Sequence, residues 1–137
     1  MIGYVTVGAN DLVAAERFYN AFLPQLGYGL TVSHEGLSYA LAAVAGQIAP
    51  PDFYVKPPFD GKSATVGNGV MVAFHCATQA QVHACHAAAC AAGGHDEGAP
   101  GFRAAYSPQF YVAYLRDPQG NKLALYSNNP DASTRPD

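Results

Sequence analysis

The 137-residue sequence predicts an α+β fold, two tandem βαβββ modules that join into a half-open, barrel-like cleft. Three observations predict it. First, a strand-like run, a capping residue, an amphipathic stretch and a glycine stop follow one another near the N-terminus, and the same order returns from Asn68 onward. Second, a constant shift of 67 residues superposes the two units, placing Tyr4 on Met71, Asp11 on Thr78 and Gly27 on Gly94. Third, each unit is followed by further β-rich runs separated by turn residues. Two half-open sheets joined in this way enclose a cleft, the expected place for a ligand. On this reading module one covers about 1–58, a linker 59–66, module two about 67–127 and a polar tail 128–137, all in a single domain.

Each element has a local reason. Ile2 to Val7 is rich in β-branched residues and predicts a strand. Asn10 or Asp11 caps a helix whose apolar stripe is Leu12, Ala15, Tyr19, Phe22 and Leu26, with Gly27 and Gly29 as its stop. Leu30 to Ser33 and Ser38 to Val44 predict strands joined at Glu35-Gly36, and Phe53 to Val55 a short strand between proline pairs. In the second unit, Val70 to Cys76 predicts a strand, and Thr78 with Gln81 a capping box opening a helix over 79–92. The EGAPGF and SPQ segments read as loops around a short strand at Arg103 to Tyr106. Phe110 to Leu115 and Leu123 to Tyr126 predict a strand pair across the RDPQGNK turn, where Asp117 and Asn121 bond their own backbone. The tail after Asn128 is expected to fray.

Half the residues are hydrophobic and 12% are charged, a globular composition. Net charge is -3 with no run of Lys or Arg, which argues against a nucleic-acid or membrane-surface partner. No apolar run reaches membrane-span length and no signal pattern opens the chain, so a cytoplasmic protein is the expectation. Cys76, Cys85 and Cys90 lack the spacing of a disulfide framework and read as buried thiols in a reducing compartment. No Ser-His-Asp order, phosphate loop or dinucleotide glycine pattern is present.

Three runs carry a family resemblance: GYVTVGANDLVAAERFYNAFLPQLGY, GNGVMVAFHCATQAQVHACHAAACAAGGHDEGAPGFR and FYVAYLRDPQGNKLALY. Together they resemble the glyoxalase, bleomycin-resistance and extradiol-dioxygenase superfamily, also called the vicinal-oxygen-chelate fold, from Met1 to about Tyr126. The resemblance implies a metal-ligand position on each of several strands, and a homodimer whose partner helps complete the cleft. A His is implied where this chain has Tyr4, a second where it has Met71, and a Glu where it has Ala124. The remaining position, near Phe53-Tyr54, reads as offering no carboxylate. Phenol, thioether and methyl are poor donors for a divalent ion, so no metal cofactor is expected.

Strand alternation then supplies the lining. Tyr4, Thr6, Met71, His75 and Tyr126 face the cleft, with Lys122 at its rim. Tyr111 or Tyr114 joins them according to which face that strand presents, and Tyr111 is counted among the candidates. Arg103 is a bidentate donor for a ligand carboxylate or phosphate, and His75 is the one acid–base candidate near neutral pH. His83, His86 and Cys90 share a helix face but read as structural filling. Three readings stand open. The first is a metal-independent binder of a small, partly aromatic molecule. The second is a lyase, isomerase or dioxygenase using His75 or a non-standard metal. The third is an interaction module with a vestigial cleft.

Overall fold

A computed structural model describes all of residues 1–137. Module one runs β1 (Tyr4–Gly8), α1 (Leu12–Asn20), β2 (Gly29–Ser33), β3 (Gly36–Ala40) and β4 (Asp52–Lys56). Module two runs β5 (Val72–His75), α2 (Gln79–Ala91), β6 (His95–Phe102), β7 (Tyr111–Arg116) and β8 (Lys122–Ser127). The sheets are ordered β1-β4-β3-β2 and β5-β8-β7-β6, so the repeat is one of topology as well as pattern. In each sheet the first strand pairs parallel with the last, and the other pairings are antiparallel. Neither sheet closes into a barrel.

Both helices begin where the sequence places their caps. Asp11 Oδ1 accepts the Ala14 N–H at 3.0 Å, and Thr78 Oγ1 accepts that of Gln81 at 3.1 Å. Gln81 reaches back to the Ala77 N–H at 2.8 Å, one residue before the cap. The expected first helix is cut short. Pro24 has no N–H to donate to the Asn20 carbonyl, and its ring clashes with the preceding turn. The chain therefore leaves α1 at Asn20 and makes a separate 3-10 turn, Leu23–Leu26, with proline in its first turn. Tyr19, Phe22 and Leu23 stay fully buried across the break.

Two further expectations are corrected. The EGAPGF segment is strand β6, while Arg103 to Tyr106 is irregular. Its pairing with β7 shifts register between Asp96 and Gly98 and again before Gly101, so the strand carries bulges. Glycine serves packing here. A Cβ on Gly98 would lie 3.0 Å from the Tyr114 ring and 3.1 Å from the Arg103 guanidinium. The tail, expected to fray, is held instead. Arg135 donates through its backbone to the Pro108 carbonyl at 2.8 Å, and Gln79 donates to the Ser133 carbonyl at 2.7 Å.

Twenty buried residues from both modules form one core. Phe74 of β5 lies 5.1 Å from Phe53 of β4 and 6.0 Å from Phe22, ring centre to ring centre. The helix-bearing faces of the two sheets thus pack together. The turn between β7 and β8 ties the modules as well. The Tyr19 hydroxyl donates to Asp117 Oδ2 at 2.6 Å, and Asn121 Nδ2 donates to the Gly8 carbonyl at 2.9 Å. Asp117 and Asn121 do form their turn, but both are buried and both reach across to module one. No helix is long and apolar enough to cross a membrane. All three cysteines are free. The neighbouring Cys85 thiol, and then burial, hold the Cys76 thiol above the ordinary range.

Candidate functional site

Alternation along each strand decides what the outer faces carry. In β1, Val5 and Val7 turn to the core, which leaves Tyr4 and Thr6 outward, Tyr4 at 65% exposure. In β5, Phe74 is buried and Ala73 and His75 are exposed. Met71, just before β5, is 46% exposed.

On the outer face of module one the Tyr4 and Tyr54 rings sit 5.5 Å apart. The Tyr54 hydroxyl donates to Asp52 Oδ2 at 3.1 Å, a bond that raises the phenol pKa. Asp52 opens β4 directly opposite Tyr4. This corrects the expectation that the strand holds no carboxylate there. The signal was present at the Pro-Pro-Asp boundary, but the strand begins one residue earlier than its apolar run suggests. Lys56 lies 5.7 Å from the Tyr54 ring and 4.0 Å from Glu35. Tyr4, Tyr54, Glu35 and Lys56 line a hollow of about 350 Å³. Thr6 lines a second, of about 730 Å³, under the linker with His34 and Phe59.

The outer face of module two is an aromatic strip with cations at one end. The His75 and Tyr126 rings are 5.3 Å apart, Tyr126 stacks on Phe110 at 5.4 Å, and Phe110 meets Tyr106 at 5.3 Å. His75 Nε2 is 3.3 Å from Asn128 Oδ1. Tyr114 lies between two cations, with Arg103 at 5.5 Å and Lys122 at 5.4 Å from its ring centre. Burial, and then the neighbouring Tyr106 hydroxyl, raise the Tyr114 pKa. Beneath this cover Ala124 pairs across strands with both Ala73 and Tyr114 and is 2% exposed.

Tyr114, not Tyr111, is therefore the tyrosine of β7 on this face. Tyr111 points to the helix side, packs against the core and hydrogen-bonds His83 of α2. Its alternation partners Ala113 and Leu115 are core residues, which was the one clue available in the sequence. His86 is buried with Nε2 at 3.2 Å from Asp96 Oδ1 and 3.8 Å from the Cys90 thiol, so it fills structure at the α2–β6 contact.

The structure joins His75 with Tyr126, and Met71 with Lys122 in one hollow of about 630 Å³. It does not bring Tyr4 to Met71 within a single chain, since the two line different hollows on different sheets. Apart from Asp52, the implied ligand positions do not suit a divalent ion. Tyr4, Met71 and Ala124 present a phenol, a thioether and a methyl group. Nowhere do three His, Cys, Asp or Glu side chains gather in a metal-binding arrangement.

Comparison with protein-family models gives no match, and comparison with curated proteins gives none either. Solved structures do match. A glyoxalase/bleomycin resistance protein from Albidiferax ferrireducens T118 is 37% identical over 93% of this chain and 98% of its own, with a TM-score of 0.77. A glyoxalase-related enzyme from Fulvimarina pelagi is 18% identical over 98% and 96%, with a TM-score of 0.69. A glyoxalase/bleomycin resistance protein/dioxygenase family enzyme from Burkholderia phytofirmans PsJN is 22% identical over 91% and 96%, with a TM-score of 0.62. The last two are similar in fold alone.

Proposed function

The chain belongs to the glyoxalase/bleomycin resistance protein family, and from that premise we propose that it binds a small, partly aromatic molecule without a resident metal. The cleft is completed by a second copy of the chain. One observation carries this reading: each module holds an exposed aromatic and polar face, and the two look away from each other within one chain. Setting the Tyr4–Tyr54 face of one copy against the His75–Tyr126 face of its partner would enclose a cavity. The lining is aromatic with a few polar groups, the usual composition of a small-molecule site. Sequestration rather than turnover is the simplest use of such a cavity, and the bleomycin-resistance part of the Albidiferax protein's name is in keeping with it.

A second reading rests on His75, exposed on that face beside Tyr126 and Asn128. An imidazole placed there can exchange a proton with a bound molecule, as a lyase or isomerase requires. The experiment is sedimentation equilibrium together with a thermal-shift screen and elemental analysis. A dimer without stoichiometric divalent ion is expected, and a ligand at 100 times its Kd should add about 2.7 kcal/mol of stability. A monomer that binds as tightly as the dimer would sink the shared cleft, and a stoichiometric ion would sink the metal-free reading. Turnover abolished by His75→Ala with binding intact would select the second reading.

A further inference from the structure

The hollow of about 630 Å³ on module two has an unusual wall. Arg116 and Lys122 are its charged side chains, and the rest is the loop from Val66 to Met71. No acidic residue lines it. Lys122 forms no ion pair. Arg116 donates from Nε to Glu97 at 2.9 Å and from Nη1 to the Gly120 carbonyl at 2.9 Å, which leaves Nη2 unengaged. The chain's net charge is -3, so a hollow with an unpaired lysine, an arginine shared with Glu97 and no lining carboxylate runs against the overall balance.

The loop adds donors of its own. Gly67 and Gly69 have φ of 63° and 102°, backbone open to glycine and costly for other residues. Val70 N donates to the Gly67 carbonyl at 3.1 Å, closing the turn. The N–H groups of Asn68, Gly69 and Met71 donate to no protein acceptor. Unpaired amides in a turn with left-handed residues are donors suited to an anion, and neighbouring cations strengthen such binding through charge-assisted bonds.

From this geometry we infer that the ligand carries an oxyanion, a carboxylate or a phosphate, seated between Lys122, Arg116 and the Gly67–Met71 loop. The inference rests on the small-molecule reading above and names the chemistry of that molecule. Lys122 is the hinge between the two parts of the surface: it lines the hollow and lies over Tyr114, at the end of the face that carries the aromatic strip. An aromatic acid or aryl phosphate would place its charged group in the hollow and its ring towards Tyr114.

The test is amide NMR titration of the full chain at low ionic strength with three matched probes: phenyl phosphate, benzoate and benzyl alcohol. Saturable shifts of the Asn68, Gly69 and Met71 amides with at least one of the two anions, and weaker or no such shifts with the alcohol, are expected. Whichever anion binds more tightly names the oxyanion. Lys122→Gln should weaken that binding at least tenfold, while Arg17→Gln, exposed on α1 and outside the hollow, should change it less than threefold. Equal binding of all three probes overturns the inference and leaves small-molecule binding standing. So does anion binding that Lys122→Gln leaves unchanged. If the alcohol shifts His75 and Tyr126 while neither anion moves the loop, the oxyanion fails alone. If the anions saturate the loop and a broad organic library finds nothing on the aromatic strip, the aromatic reading fails instead.

Discussion

The two modules share a strand order and fill it differently. Module one packs Phe18 and Tyr19 of its nine-residue helix, with Phe22 just beyond it, against Tyr39 and Phe53, all buried. Module two packs a thirteen-residue helix whose buried positions are Val82, Cys85, His86 and Ala89 against Ala113, Leu115, Leu123 and Leu125. A short helix with large side chains and a long helix with small ones both complete the same layer. The pattern of buried positions therefore decides topology, and volume is free to redistribute so long as the total packs. Phe74 is the point of exchange, a module-two ring surrounded by Phe22, Tyr28 and Phe53 of module one.

The largest effect should come from testing that asymmetry. Phe53 touches Tyr19, Tyr39 and Phe74, so Phe53→Ala removes the ring at the centre of an aromatic cluster and should cost about 4 kcal/mol. Val82→Ala, on the small-residue helix, should cost about 2 kcal/mol. Urea denaturation of both variants measures the difference. Equal losses would mean that module one's aromatic core is no more demanding than module two's aliphatic one.

The link between modules is polar, and its chemistry gives a pH dependence. Burial, and then the Asp117 carboxylate, push the Tyr19 pKa well above the ordinary tyrosine value. An unfolded tyrosine loses its proton near pH 10, while the folded one retains it. Between those two values the native state binds more protons, so this contribution is complete below about pH 10 and is lost as pH rises beyond it. Tyr19→Phe should cost about 1–2 kcal/mol at pH 8, because Asp117 loses one of its donors in a buried place. The same variant should flatten the fall in stability between pH 9 and pH 11. A wild-type and a variant curve of equal slope would assign the alkaline transition to the other tyrosines.

How much of this was legible follows the same division. The repeat could be read because caps, glycine stops and alternation are local, and the shift of 67 carries Val5 and Val7 onto Val72 and Phe74, core-facing in both sheets. The outward placement of Tyr4, Thr6, His75, Tyr126 and Lys122 followed from the same period of two. The breaks were less legible. Pro24 stands inside an apolar period that runs on past it, and the period hid the proline's consequence. β6 was obscured by glycines, of which Gly98 permits close approach to Tyr114, a contact made only in three dimensions. Asp117 looked like an ordinary turn residue because its partner Tyr19 is 98 positions away. That the two outer faces look apart depends on how the cores pack, which no single module encodes.

The smallest effect concerns the longest loop between strands in each module, β3 to β4 in module one and β6 to β7 in module two. In module one, residues 41–51 leave Val44 and Ile48 exposed and gain no bond from elsewhere in the chain beyond the strand itself. In module two, residues 103–110 hold Arg103, Tyr106 and Phe110 beside the aromatic strip, and the C-terminal tail clamps them. Arg135 Nη1 donates to the Arg103 carbonyl at 2.8 Å and to the Tyr106 carbonyl at 3.1 Å. These bonds are partly exposed, so Arg135→Ala should cost about 1 kcal/mol or less of global stability. Its local effect should be larger than its global one, because a loop held by few contacts opens without the rest of the fold. Hydrogen exchange of amides in 103–110 should accelerate several-fold in the variant while those in 41–51 stay as they were. Unchanged exchange in 103–110 would mean that the loop is ordered by Phe110 stacking on Tyr126, and that the tail follows the loop instead of holding it.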